Sequence, residues 1–261
     1  MPSIGVIGGS GLYDMPGAEI VESRRIATPY GEPSDSYRIG RCSGVDVAFL
    51  PRHGASHGIP PHKVNYRANL WGMRELGVSR VVSVGATGAV SGLAKPGEIV
   101  VLDQVIDLTS GREATFFDGG EVVHVDFTEP FCPDLRRRLY EASCRTDVAV
   151  ITHGTYLCVN GPRLETAAEI RAFGSLGADV VGMTLMPEAV LARELELCLA
   201  GIAVVTNFAA GISSARLTAQ EVMDGMKRST GMLRDLLAAF FSLPVEDRDC
   251  SCGGSLGQAR V

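Results

Sequence analysis

Short runs rich in Val and Ile alternate along the chain with longer amphipathic stretches, and this order constrains the fold more than any single motif does. The runs at 4–8, 45–51, 80–85, 98–106, 150–159, 179–183 and 202–206 read as strands, and 63–76, 133–144, 166–176, 187–200 and 218–241 read as helices. Two helices open on a capping signature, TAAE from Thr166 to Glu169 and TAQE from Thr218 to Glu221, in which hydroxyl and carboxylate can satisfy each other's backbone N–H. Strands interleaved with helices in this way predict an α/β fold, a single-domain mixed twisted β-sheet flanked by helices, over 1–243. A chain of 261 residues suffices for one such core. After Pro244 the composition turns to Gly and Ser, and 244–261 is expected to be a flexible C-terminal tail carrying a CSC motif, Cys250 and Cys252.

Charge and hydropathy remove several functions. A net charge of -6 gives no clustered basic surface for a phosphate backbone, so nucleic acid is not an expected partner; Arg136 to Arg138 read as one solvated helix face. No apolar run reaches the ~20 residues of a membrane span, and the N-terminus enters a strand directly, so a cytoplasmic protein is expected. Cys42, Cys132, Cys144, Cys158 and Cys198 read as small core or near-surface residues, with no zinc-type spacing. For CSC, a local disulfide, half of a shared metal site and an unstructured end all stay open; the site residues expected below include no metal ligand.

In an open α/β sheet, chemistry gathers where strand ends meet loops. IGVIGGSGLYD misses the dinucleotide spacing, since Asp14 stands where a third glycine would follow Gly9 and Gly11. Its turn either aims backbone N–H groups and the Ser10 hydroxyl at a small anion or simply ends a strand. PRHG offers the planar fork of Arg52 and a second donor in His53. SVGATGA brings the backbone of Ala86 and the Thr87 hydroxyl, and GMT adds Thr184. Any one of these has an ordinary structural reading; together they make an anion pocket. Glu165, just before a helix start, has a plain dipole role available. Beside the lone amide of Asn207, at the end of the apolar strand in VVTNFAAG, it also makes an edge complementary to a ring carrying N–H and C=O.

IGVIGGSGLYD, TPYGEPSD, PRHGASHGIPPHKVNYRANLWGMRELG, DQVIDLTSGRE, GPRLET and GMTLMPEAVLARELEL, in order from about residue 4 to 241, resemble the trimeric purine nucleoside phosphorylases, in the branch that handles 5'-methylthio nucleosides. The resemblance implies a phosphorylase/hydrolase-like fold, a homotrimer or a hexamer, no organic cofactor or metal, and inorganic phosphate as co-substrate. It places phosphate on Ser10, Arg52, His53, Ala86 and Thr184, Met183 along the ribose, and Leu164 facing the base where methylthioadenosine phosphorylases usually carry phenylalanine. His124 matches a residue lent by a neighbouring subunit to the 5' end.

Adenosine-type members carry two aspartates where this chain has Asn207 and Ala209; members acting on 6-oxopurines pair an asparagine with the glutamate of FET, here Glu165 in LET. Hypoxanthine has a protonated N1 for Glu165 and acceptors at O6 and N7 for Asn207, whereas adenine would set a bare N1 against the carboxylate. The position where inosine and guanosine phosphorylases commonly hold a histidine matches Ala219, followed by Val222 and Met223, an apolar wall suited to a methylthio group. The implied reaction is phosphorolysis of 5'-methylthioinosine to hypoxanthine and 5-methylthioribose 1-phosphate, a step of purine salvage. A general 6-oxopurine nucleoside phosphorylase, a 5'-methylthioadenosine phosphorylase and a non-catalytic nucleotide-binding protein are the alternatives.

Overall fold

A computed structural model describes the chain except residues 10–17, 215–216 and 245. Among the described residues, eleven strands form one mixed sheet: β1 (Ile4–Gly8), β2 (Ala18–Arg24), β3 (Tyr37–Cys42), β4 (Val45–Pro51), β5 (Arg80–Ala89), β6 (Ile99–Val101), β7 (Gln104–Asp107), β8 (Val150–Ile151), β9 (Thr155–Cys158), β10 (Val180–Gly182) and β11 (Cys198–Phe208). The helices are α1 (Tyr66–Glu75), α2 (Pro133–Ser143), α3 (Ala167–Ser175), α4 (Leu185–Glu194) and α5 (Ala219–Ser242). Burial of apolar side chains on both faces of the central strands, as in β1, where every residue is buried, explains why they read as unbroken Val/Ile runs.

The sheet forks at β5. One edge of β5 pairs with β11 along its whole length. The other edge pairs with β1 through Arg80, Val81, Val82 and Ser83, and then with the antiparallel β10 through Gly88 and Ala89. Residues 84–87 lie between these two pairings, where the strand ends of β1 and β10 part. A gap of this kind, walled by backbone and small side chains, is where a ligand can reach the sheet.

Caps and turns follow the sequence locally. Thr166 and Glu169 complete the reciprocal capping box of α3, and Thr218 Oγ1 accepts the N–H of Glu221 at 3.1 Å to start α5. Gly225 of α5 lies against β11 so closely that a methyl group there would sit 2.4 Å from the Thr206 carbonyl oxygen.

Three expectations need correction. Strands β2 and β3 were not expected, and the expected 187–200 helix stops at Glu194: Glu196 takes a left-handed φ of 57° and the chain turns into β11 at Cys198. The C-terminal residues from 246 onward are packed, not loose. Cys252 and Ala259 are buried, His124 donates its N–H to the Ala259 carbonyl at 2.7 Å, and Val261 donates to Val122 at 3.2 Å.

Candidate active site

The centre of the fork is a buried ion pair. Arg52, one residue beyond β4, is 1 % exposed and donates through Nε and Nη2 to the Glu188 carboxylate at 2.5 and 3.1 Å. Nη2 also donates to Ser83 Oγ at 2.6 Å and Nη1 to the Val84 carbonyl at 3.0 Å, while Ser83 Oγ donates to Glu188 at 2.6 Å. Glu188, in the first turn of α4, is fully buried. Burial works against the cation, but the charge and hydrogen bonds of Glu188, with Tyr66 and Tyr156 adding to them, together raise the Arg52 pKa, so the guanidinium is permanently cationic. Arg52 was expected as an anion fork. One face of that fork is held by protein groups, and one of the two Nη1 hydrogens remains for a ligand. Sequence reading missed Glu188, although a single acid inside the apolar LMPEAVLA was the available signal.

His53 has a defined tautomer. Its Nδ1 lies 2.8 Å from the Ile59 carbonyl oxygen, which can only accept, so Nδ1 carries the hydrogen. Burial first, and then the Arg52 cation, push its pKa down to about 4. The ring is therefore neutral near pH 7 and presents Nε2 as an acceptor, where a donor was expected. Such a group suits an anion that brings its own O–H, as monohydrogen phosphate does.

Opposite them, Thr184 is 7 % exposed at the start of α4, with its N–H held by the Tyr156 hydroxyl at 3.1 Å. A methyl on Gly85 would lie 3.4 Å from the Thr184 hydroxyl, so this hydroxyl borders the fork. Ala86 is exposed beside it. Thr87 points the other way, buried and donating to the Val204 carbonyl at 3.2 Å, and it offers no hydroxyl to a ligand. Ser10 lies outside the described residues.

A second group of residues surrounds a cavity of ≈ 310 Å³ lined by Leu108, Val159, Asn160, Gly161, Glu165 and Phe173 among others. Leu164 and Glu165 are half-buried in the turn before α3. Burial raises the Glu165 carboxyl above the usual carboxylate range, with the nearby Glu169 adding to the shift and Arg163 opposing it. Met183 joins this wall, because its sulfur occupies the space a side chain on Gly161 would need, 2.3 Å from the methyl position. Arg112, also missed from the sequence, ties the wall together by donating to the carbonyls of Met186, Val159 and Asn160.

Asn207 approaches from β11. The pairing of β11 with β5 slips between Val205 and Asn207, a bulge at Thr206 that re-aims the following side chain. Asn207 is 4 % exposed, accepts from Thr206 Oγ1 at 2.7 Å and donates to the Phe208 carbonyl at 2.9 Å. The carbonyl partner fixes which end of the amide is NH₂, and Nδ2 keeps a second hydrogen for a ligand. The next turn meets the start of α3, since a methyl on Gly211 would lie 2.5 Å from Ala167 Cβ. This contact brings the Asn207 and Glu165 segments together. Ala209 is buried among Val90, Phe173 and Val181, behind the cavity wall.

Val222 is half-buried and Met223 is 53 % exposed in the opening turns of α5, the helix that rests on the Thr206 bulge. His124 is exposed, and its segment is held by the C-terminal residues instead of by the strand-end loops.

Residues 3–242 match the phosphorylase superfamily. The chain is 50% identical to the 6-oxopurine nucleoside phosphorylase of Pyrococcus furiosus over 98% of both chains. It is 49% identical to a probable S-methyl-5'-thioinosine phosphorylase of Thermodesulfovibrio yellowstonii, over 98% of this chain and 96% of the relative. Among solved structures, methylthioadenosine phosphorylase from an antarctic soil metagenomic library superposes with a TM-score of 0.93 at 38% identity, covering 100% of this chain and 92% of that one. With residues 3–242 matched and half of all positions shared with a curated relative, the chain belongs to the phosphorylase superfamily and is a purine nucleoside phosphorylase, a pentosyl-transferring enzyme.

Proposed function

We propose that this enzyme cleaves 5'-methylthioinosine with phosphate, giving hypoxanthine and 5-methylthioribose 1-phosphate. The observation that supports this reading is the Gly211–Ala167 contact, which joins the segment of the fixed Asn207 amide to that of the half-buried Glu165 carboxylate lining the cavity. An ionised Glu165 accepts the N1–H of a 6-oxopurine, and the spare Nδ2 hydrogen of Asn207 serves N7 or O6.

Phosphate is bound in the fork by Arg52 Nη1, the Ala86 backbone and Thr184, with Ser10 as a further donor. As the C1'–N9 bond breaks, its electron pair leaves with the purine, and positive charge grows on the ribose facing the phosphate dianion. A phosphate oxygen then bonds C1'. The proton that completes neutral hypoxanthine balances the one monohydrogen phosphate gives up, and the bare Nε2 of His53 can hold that O–H in place. Met183 lies along the ribose, Leu164 faces the base, and Val222 and Met223 wall the 5' group. Burying a methylthio group there contributes about 1–2 kcal/mol, and a hydroxyl would lack a partner. A neighbouring subunit of a homotrimer would supply His124 and cover the exposed Met223.

A general 6-oxopurine nucleoside phosphorylase is the second reading, favoured by the similarity to the Pyrococcus furiosus enzyme. Base release from methylthioinosine, inosine, guanosine and methylthioadenosine, each with and without phosphate, separates the readings. Methylthioinosine should be the best substrate and phosphate obligatory. Equal release without phosphate overturns the phosphorolysis, faster turnover of inosine moves the assignment to the second reading, and preferential adenine release refutes the roles given to Glu165 and Asn207.

A further inference from the structure

Four cysteines from three distant parts of the chain meet at the edge of the core. Cys132 caps α2, Cys198 begins β11, and Cys250 and Cys252 come from the CSC of the tail; all four sulfurs lie within 4.8 Å of one another, and none is in a disulfide. Cys132, Cys198 and Cys252 are buried, Cys250 is half-buried, and the Cys198–Cys250 sulfur distance is 3.4 Å. A tetrahedral Zn²⁺ ion with bonds of about 2.3 Å sets its sulfurs about 3.8 Å apart, inside the span observed here. We propose that Cys132, Cys198, Cys250 and Cys252 form a tetrathiolate site for one zinc ion that staples the tail to the domain.

The surroundings suit that charge. Four thiols release four protons to solvent as the ion binds, and the complex keeps a net charge of minus two. Buried Arg193 sets Nη1 3.6 Å from Cys252 Sγ, and the Leu135 N–H points at Cys132 Sγ from 3.5 Å in the first turn of α2. These are the donors a zinc-bound sulfur needs in a site closed to solvent.

The staple has a mechanical consequence. Beyond Cys252, Ser255 donates to the Arg193 carbonyl at 2.6 Å, and the last residues pair with Val122, Val123 and His124. Metal binding at the cysteines thereby holds the segment that carries His124.

The test uses the full chain purified under reducing conditions, with zinc measured by mass spectrometry of the metal and thiols counted by alkylation. Wild type and the surface control Cys144→Ser should each hold about one zinc per chain, and Cys250→Ser and Cys252→Ser should lose about tenfold or more in zinc affinity. Mercurial titration of the native protein should release the ion, and Co²⁺ reconstitution should give the absorption of a tetrahedral thiolate site. In hydrogen exchange, the backbone N–H of His124 should exchange faster in Cys252→Ser than in Cys144→Ser. A metal-free protein with four free thiols overturns the site, as does one whose mass shows two disulfides among these cysteines. Full zinc with unchanged exchange at His124 overturns the mechanical role.

Discussion

At the scale of single residues, base choice reduces to the protonation of one carboxylate and the orientation of one amide. Glu165 must be ionised to accept N1–H, and burial raises its pKa from the ordinary value of 4.5. Activity on methylthioinosine should therefore fail on acidification at a higher pH than an ordinary carboxylate would dictate. A protonated Glu165 donates to the bare N1 of adenine, so the ratio of hypoxanthine to adenine released from the two methylthio nucleosides should fall together with it. A pH-independent ratio removes Glu165 from base recognition. Stability has the opposite sign. Because the folded state favours the protonated form, Glu165 loses its stabilising contribution as pH rises through its folded pKa. Glu165→Gln should thus unfold at higher denaturant than wild type at pH 7 but not at pH 4, while Glu165→Ala should lower kcat/KM for the 6-oxopurine by about 10²-fold or more. Asn207→Asp should move preference toward adenine by about tenfold. Adding Ala209→Asp would bury a carboxylate against Phe173 and Val181, so its effect on selectivity has to be read beside a measured loss of stability. Asn207 draws attention in the sequence as a lone amide at the end of an apolar strand, and Glu165 only in combination with it, since Arg163 and a helix start stand beside the carboxylate. The acceptor role of His53 was not legible there, since it depends on the Ile59 carbonyl six residues away.

At the scale of elements, the fork is held open by pairs that cross it. Arg52 leaves β4 and Glu188 opens α4, so their ion pair fixes the angle between a strand end and the helix that presents Thr184. Glu188→Ala leaves a cation buried without its partner and should cost about 3–5 kcal/mol in chemical denaturation. A loss within the error of the measurement would mean that the pair is not closed in solution. On the other side, α5 touches β11 through Gly225. A Cβ there meets the Thr206 backbone, which cannot yield as a flexible side chain does. Gly225→Ala should cost about 1–3 kcal/mol and should raise the nucleoside KM more than the phosphate KM, because the Asn207 bulge moves while the fork does not. The sequence pattern located the central strands and all five helices, where apolar runs are long and doubly buried. It missed β2, whose AEIVESR mixes charge with apolar side chains as far exposed as Val21 at 62%, and the bulge, which only the pairing of two strands creates. It also overran α4, because Leu195, Leu197 and Leu199 suit a helix or a strand equally and the left-handed Glu196 decides between them.

At the scale of the whole molecule, one subunit leaves the 5' end of its proposed site unfinished. Met223 is 53 % exposed and His124 stands on a segment held by the tail, away from the loops that build the fork. Both facts are accounted for if three chains close on one another and each lends His124 to the next, and light scattering should then show a trimer or a multiple of it. Size alone does not establish a shared site, whereas complementation does. His124→Ala should raise the nucleoside KM severalfold and leave the phosphate KM unchanged, and Glu165→Ala should be nearly inactive on methylthioinosine. When the two variants are unfolded together and refolded as mixed trimers, a subunit with intact Glu165 can receive intact His124 from a Glu165→Ala neighbour. The nucleoside KM of the mixture should then contain a wild-type component that neither variant shows alone. If His124 instead served its own subunit, every site in the mixture would carry one defect, and the wild-type component would be absent at any mixing ratio.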